Sequence, residues 1–359
     1  MTEKPGEYLP ESVLFESPVF VRRLIRLSEN VQILCDALPE DGVEIQFGRW
    51  TADSSSDPAS FAFSGESTGL RSDARMGTFF LRGSDGDTPA LWSPRGLVVG
   101  SLDQNGRFSA VDDSQVESWW ELSGSPVFHL SAQEPGDFSV FWPMVVFAED
   151  SNARASDLVD LQHSEFQEVV KSDRFRASSA ADIWKYLIDG AIYGPRDDDG
   201  RRSRCQQCAF AWWSYLMALH LETSKNHYRS FARWIAWSVC ADLDKNGSWH
   251  YGLSTAELEI RARCLWDGVR LLLAENSVAP DDILLSAARR AGTFAVDNLS
   301  EELDGDRLWF LEGSVEGATR LRNPSQVLGR SLDNSLCLST HLQALCVLHQ
   351  LVVEGPGDD

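Results

Sequence analysis

Lysine is scarce in this chain, with five residues among the 32 Lys and Arg, and acidic residues outnumber basic ones by 54 to 32 for a formal net charge of −22. A surface with that excess repels phosphate backbones, which argues against nucleic acid as a partner. Anionic membrane surfaces are disfavoured on the same ground. Low lysine with abundant aspartate fits a high-GC genome or a salt-adapted cytosol, and composition does not separate the two. Long apolar runs are also missing. No window of about 18 apolar residues occurs, so no membrane span is expected. The opening MTEKPGEYLPES lacks the basic-then-apolar layout of a secretory signal. A cytoplasmic location is the resulting expectation.

Complete catalytic signatures are absent as well. The chain has no nucleophile elbow, P-loop, dinucleotide fingerprint or HExxH run, so no cofactor is expected. The seven cysteines are an odd number spread over 359 residues, which does not suit a disulfide framework. Cys205-x-x-Cys208 has redox or zinc spacing, but a second CxxC or a His pair to complete a zinc site is missing. Two cysteines on one buried helix face are expected instead. Asp242-x-Asp244-x-Asn246-Gly247 begins like a calcium loop, yet Leu253 stands where the closing Glu belongs. It reads as a polar turn at a helix end, and no metal site is assigned.

What is present divides the chain in two. Ten short runs read as strands: 19–27, 31–38, 43–51, 60–64, 77–82, 96–102, 107–111, 118–122, 127–132 and 138–147. Asp41-Gly42, Asp85-Gly86, Gly124-Ser125 and Pro135-Gly136 fall in the gaps. That spacing predicts an antiparallel sandwich or barrel over residues 1–150. A small polar linker occupies 151–157. Helical periodicity follows, at 158–171, 180–193, 205–223, 225–243, 255–274, 281–303 and 335–353. Pro280-Asp281 opens one helix, and Gly247 and Gly305 sit past helix ends where a left-handed residue is wanted. The fold class is therefore α+β with two domains, the second, 158–359, built of helical hairpins.

Those hairpins repeat. Residues 209–252 and 259–313 each read as helix, polar turn, helix and a loop rich in Asp, Gly and Trp, with Trp249 and Trp309 in matching places. A hairpin cannot bury its apolar face alone, so such units stack or curl, and their loops gather on one face. Of the thirteen tryptophans, seven fall between Trp184 and Trp266, in this half, where Trp fills core or stacks on flat ligands. The helical half resembles the α/α toroid of polysaccharide-active enzymes. The carriers are the Tyr215-Leu216 helix, His227-Tyr228, Trp234-x-x-Trp237 and Asn246-Gly247-Ser248-Trp249. A sandwich followed by helices, and Leu332-Asp333-Asn334 entering a Leu-rich helix, resemble the glucuronyl C5-epimerases. The Ala-Gln-Gly run of that family is absent near 259–262, and its tyrosines are absent at 309–313.

The resemblance implies a partial toroid and a carbohydrate-active protein. It would be a metal-independent epimerase, lyase or hydrolase acting on a glycan or uronate, with a small molecule or oligosaccharide as substrate. His250 and Tyr251 follow Trp249 and are candidates to move a proton, and Glu312 lies on the equivalent loop of the next repeat. Trp249 and Trp309 are candidates to stack on a sugar. Arg196, Arg201 and Arg204 flank a triple Asp and have the fork geometry for a carboxylate, while Asp333 either caps the last helix or faces the ring. Two alternatives stand beside this reading: a terpene-type cyclase of an apolar product, and a non-catalytic scaffold. Sequence leaves the oligomeric state open.

Overall fold

The structure is a computed structural model. It describes residues 11–52, 59–62, 79–81, 90–93, 98–102, 108–110, 116–121, 127–132, 138–147, 171–172, 175–176, 187–194, 201–202, 204–249, 251–252, 258–302, 307–310, 313–315 and 338–353. The architecture is α+β, antiparallel sheet in the N-terminal part and helices in the C-terminal part. Two compact units form. The first is Met1–Leu102, Phe108–Ala191 and Leu219–Ser230; the second is Asp103–Arg107, Ile192–Ala218 and Phe231–Asp359. The expected linker at 151–157 lies outside the described residues.

In the first unit the strands are β1 (Ser12–Glu16), β2 (Val21–Arg26), β3 (Val31–Leu38), β4 (Val43–Ala52), β5 (Ala59–Ala62), β6 (Phe79–Leu81) and β7 (Ala90–Ser93). They continue with β8 (Val98–Leu102), β9 (Phe108–Ala110), β10 (Val116–Glu121), β11 (Val127–Ala132), β12 (Phe138–Phe147), β13 (Lys171–Ser172) and β14 (Phe175–Arg176). The main sheet runs β1-β2-β3-β4-β12-β8-β9, with β7 also on β12 and β6 on β7, and a second sheet runs β10-β11-β5. Pairing is antiparallel throughout.

Alternation explains the central pair. Val43, Ile45 and Phe47 of β4 are buried and their neighbours Glu44 and Gln46 are not, the period of a half-buried strand. β12 matches β4 over its whole length, from Phe138 opposite Ala52 to Phe147 opposite Val43. Pro143 sits inside β12, where it cannot donate to a ladder. It falls where the other edge of β12 passes from β8, which pairs with 139–141, to β7, which pairs with 145–147.

A buried ion pair interrupts this core. Arg22 faces Asp36 across β2 and β3 and donates to both carboxylate oxygens at 2.7 Å, with Arg22 4% and Asp36 0% exposed. A third bond runs from Arg22 Nη2 to the carbonyl of Gly190 at 3.1 Å.

The second unit contains β15 (Arg201–Arg202), β16 (Tyr251–Gly252), β17 (Leu258–Arg261), β18 (Ser300–Glu302), β19 (Leu308–Phe310) and β20 (Gly313–Val315). It also holds α3 (Ala262–Val278), α4 (Asp282–Asn298) and α5 (Leu338–Val353), and most of α1 (Gln206–Thr223) and α2 (Asn226–Ala241). α3 packs on α4 and on α5. Its buried face includes Leu265, Trp266, Val269, Leu272 and Leu273.

Four expectations need correction here, the first being the helix expected over 281–303, which ends at Asn298 because Ser300–Glu302 pairs as β18 with β19. The helix expected at 180–193 is not formed over 187–193, where the chain bends and Gly190 takes a φ of 82° that helix does not allow. Lys171, expected at a helix end, lies in β13. The helix expected from 255 starts at Ala262, because Leu258–Arg261 is held as a strand between β16 and β20. Among the described residues no helix is long and apolar enough to cross a membrane.

Candidate functional site

The two repeat loops meet in one small sheet. β16 follows Trp249, β20 follows Glu312, and both pair with β17: Tyr251 opposes Glu259, and Arg261 opposes Gly313. β17 then runs directly into α3. The backbone therefore joins the loops that sequence placed on a common face. His250 and Glu312 themselves lie outside the described residues, as do Arg196 and Asp333. Tyr251 and Arg201 are fixed in backbone only.

α3 carries a polar stripe beside this sheet. Arg263, Asp267 and Arg270 recur at helical spacing on one face. Ser339 and Gln343, four apart on α5, meet them: Arg263 donates to Ser339 Oγ at 3.0 Å, and Gln343 donates to Asp267 Oδ1 at 2.7 Å. Arg270 reaches the same Asp267 oxygen at 3.4 Å. Asp267 is 5% exposed, and burial raises its carboxyl to about 6 against the pull of Arg270 and Arg263. A carboxyl that exchanges its proton near neutrality is suited to acid–base work.

Trp309 lies on β19 and stacks face to face on His341 of α5, with ring centres 4.2 Å apart and planes within 2°. It is half-buried, and its indole N–H has no hydrogen-bond partner among the described residues. The backbone N–H of Phe310 points to His341 Nδ1 at 3.4 Å, and the Phe310 ring packs edge-on against Trp266, the neighbour of Asp267. The aromatic pair is thus anchored to the helix that carries the perturbed carboxyl.

Trp249 is placed differently. It is 2% exposed, its indole N–H donates to the Val239 carbonyl at 2.9 Å, and it packs on α3 where Gly268 leaves room. A Cβ at position 268 would stand 2.7 Å from the indole. In this structure Trp249 is a core residue, which does not suit the stacking expected of it, and of the two tryptophans only Trp309 is partly exposed. Arg204 is engaged with Asp242 at 3.4 Å. Asp244 spends both oxygens on its own turn, accepting from Asn246 N, Ser248 N and Ser248 Oγ, which is the polar turn expected of the calcium-like run. No group of three His, Cys, Asp or Glu among the described residues is arranged to hold a metal.

Sequence reasoning missed Asp267, Gln343 and His341. The signal was available in the spacing Arg263-Asp267-Arg270, which puts two cations and an acid on one helical face. It also missed Glu275, fully buried on α3, which accepts the Trp213 indole N–H at 2.9 Å. The Cys205–Cys208 pair likewise gains a third member. The Cys205 thiol shares hydrogen bonds with Cys208 and Cys264, and the bond with Cys208 is the first cause of a raised pKa.

No family model and no curated protein matches the chain. Among solved structures, a polysaccharide lyase aligns with 78% of this chain at 11% identity and a TM-score of 0.24. A heparan sulfate lyase from Pedobacter heparinus aligns with 40% at 9% identity and a TM-score of 0.22. This chain spans 58% of the first and 22% of the second.

Proposed function

We propose that the chain is a carbohydrate-active protein whose helical half is a partial α/α toroid, and that it performs metal-independent acid–base chemistry on a uronate or an acidic glycan. The observation that carries this reading is Asp267, a buried carboxyl poised near neutral pH between two arginines, on the helix that also anchors the Trp309–His341 stack. Trp309, half-buried and stacked on His341, is the sugar platform in this reading. Arg263 and Arg270 draw the uronate carboxylate to the α3 face, with Arg196, Arg201 and Arg204 as further anion holders. His250, Tyr251 and Glu312, carried on the loops joined by β17, exchange the proton at the carbon beside the carboxylate, with Asp267 as their acidic partner. Asp333 completes the substrate contacts.

Epimerase, lyase and hydrolase chemistry separate by their products. Uronate oligosaccharides incubated in D2O gain solvent deuterium at C5 under an epimerase, gain a conjugated double bond under a lyase, and shorten with a new reducing end under a hydrolase. Trp309→Ala and Asp267→Asn each lower the rate at least tenfold in the active case. If uronates neither raise the Tm nor react, the carbohydrate reading fails.

A second reading is favoured by one observation. A cyclase of an apolar product needs a buried acid among aromatics, and Glu275, bonded by Trp213, is such a group. Stabilisation by isoprenoid diphosphates, with none by uronates, selects it.

A further inference from the structure

On α4, Ser286, Arg289, Arg290, Phe294 and Asp297 share one helical face, and with Lys245 they line an open groove of about 380 Å³. Lys245 is one of the five lysines of the chain, and it is brought to the helix by a hydrogen-bonded turn. Asp244 holds that turn from within, as described above. Gly247 lets the turn close on the helix. Its φ is 91°, and a Cβ there would stand 2.5 Å from the Arg290 carbonyl oxygen. Backbone packing therefore sets the Lys245 turn against the helix that carries Arg289 and Arg290.

The charges in the groove do not cancel. Three cations, Lys245, Arg289 and Arg290, and one acid, Asp297, line it. Arg289 Nη2 is buried without a hydrogen-bond partner among the described residues. A desolvated guanidinium nitrogen with no acceptor is costly, and an incoming oxyanion would satisfy it. The groove is net basic in a chain of net charge −22.

We propose that the groove between the 245–247 turn and α4 is a binding site for an oxyanion, a carboxylate, sulfate or phosphate group. Arg289 and Arg290 grip its oxygens, Lys245 supplies the opposing charge, Ser286 donates a hydroxyl, and Phe294 gives an apolar patch for whatever carries the anion. The site is separate from the α3–α5 stripe and stands whether or not the carbohydrate reading holds.

The test is calorimetric titration of the full chain with sodium sulfate, sodium phosphate, glucuronate and glucose, each at matched ionic strength. Saturable binding of the anions and none of glucose is expected. Tighter binding of glucuronate than of the inorganic ions points to a sugar-borne acid, and the reverse order to a free or ester oxyanion. Arg290→Gln and Lys245→Met, both outside the core, are expected to weaken anion binding roughly tenfold each while leaving the circular dichroism spectrum and Tm in the absence of ligand unchanged. Arg289→Gln should abolish binding. Absence of saturable binding, or equal affinity in the folded Arg290→Gln and Lys245→Met variants, overturns the proposal.

Discussion

A carboxyl removed from water prefers to keep its proton, and Asp267 shows how far that preference reaches. Its folded value, near 6, lies above the ordinary 3.8, so the folded state binds the proton more tightly than the unfolded chain. The stabilisation is complete below pH 4 and is lost as pH rises through 6. At pH 7 the charged form costs at most about 3 kcal/mol. Asp267→Asn removes that dependence. The Tm of the variant is expected to exceed the parent at pH 7.5 and to fall level with it toward pH 4, as differential scanning fluorimetry would record. A flat difference across that range would show that the carboxyl is not the titrating group. The Arg22–Asp36 pair predicts the opposite kind of effect. Asp36→Asn leaves a guanidinium buried without its countercharge and is expected to cost about 3–5 kcal/mol in urea unfolding, whereas replacing both partners by apolar residues recovers most of the loss.

At the scale of elements, turn and cap chemistry decide where helices stop and start. Asp281 accepts the N–H of Ile283 at 2.8 Å and sits in extended backbone, the arrangement of an N-cap. Asp281→Ala is expected to lower stability by about 1 kcal/mol. Gly247→Ala is expected to cost more, since it meets both a positive φ and the Arg290 carbonyl, and it should weaken anion binding at the groove in parallel. Strands were legible where apolar runs were bounded by turn signals: β3, β11 and β12 match the expected runs end to end. β1 was not, because its mostly exposed residues show no inward face, nor was β7, a four-residue run between Pro89 and Pro94. β17 was read as helix because its apolar residues adjoin a true helical stripe. The candidate site was legible only in part. Trp309 and the meeting of the two repeat loops followed from the repeat. Asp267 was readable only as an acid between two arginines at helical spacing; the burial that raises its carboxyl and its bond from Gln343, 76 positions away, were not.

For the molecule as a whole, the excess of acidic groups sets the response to salt. Self-repulsion of 22 net charges opposes the compact state and is screened over about 10 Å at 0.1 M salt. Unfolding midpoints in urea are expected to rise between 0.05 and 0.5 M KCl, an interval across which the Debye length falls from about 14 to about 4 Å. A midpoint that falls instead would mean that attractive pairs such as Arg204–Asp242 outweigh the repulsion.

The bond from Arg22 to Gly190 spans 168 positions. A nascent chain emerges from its N-terminus, so β2 and β3 leave the ribosome long before the Gly190 carbonyl that also accepts from the arginine. Until residue 190 arrives, the sheet carries a half-finished ionic plug, and its final consolidation waits on the remote segment. The order of synthesis therefore sets a delay into folding, and a release point upstream of 190 should yield a looser, more protease-sensitive sheet than one just beyond it.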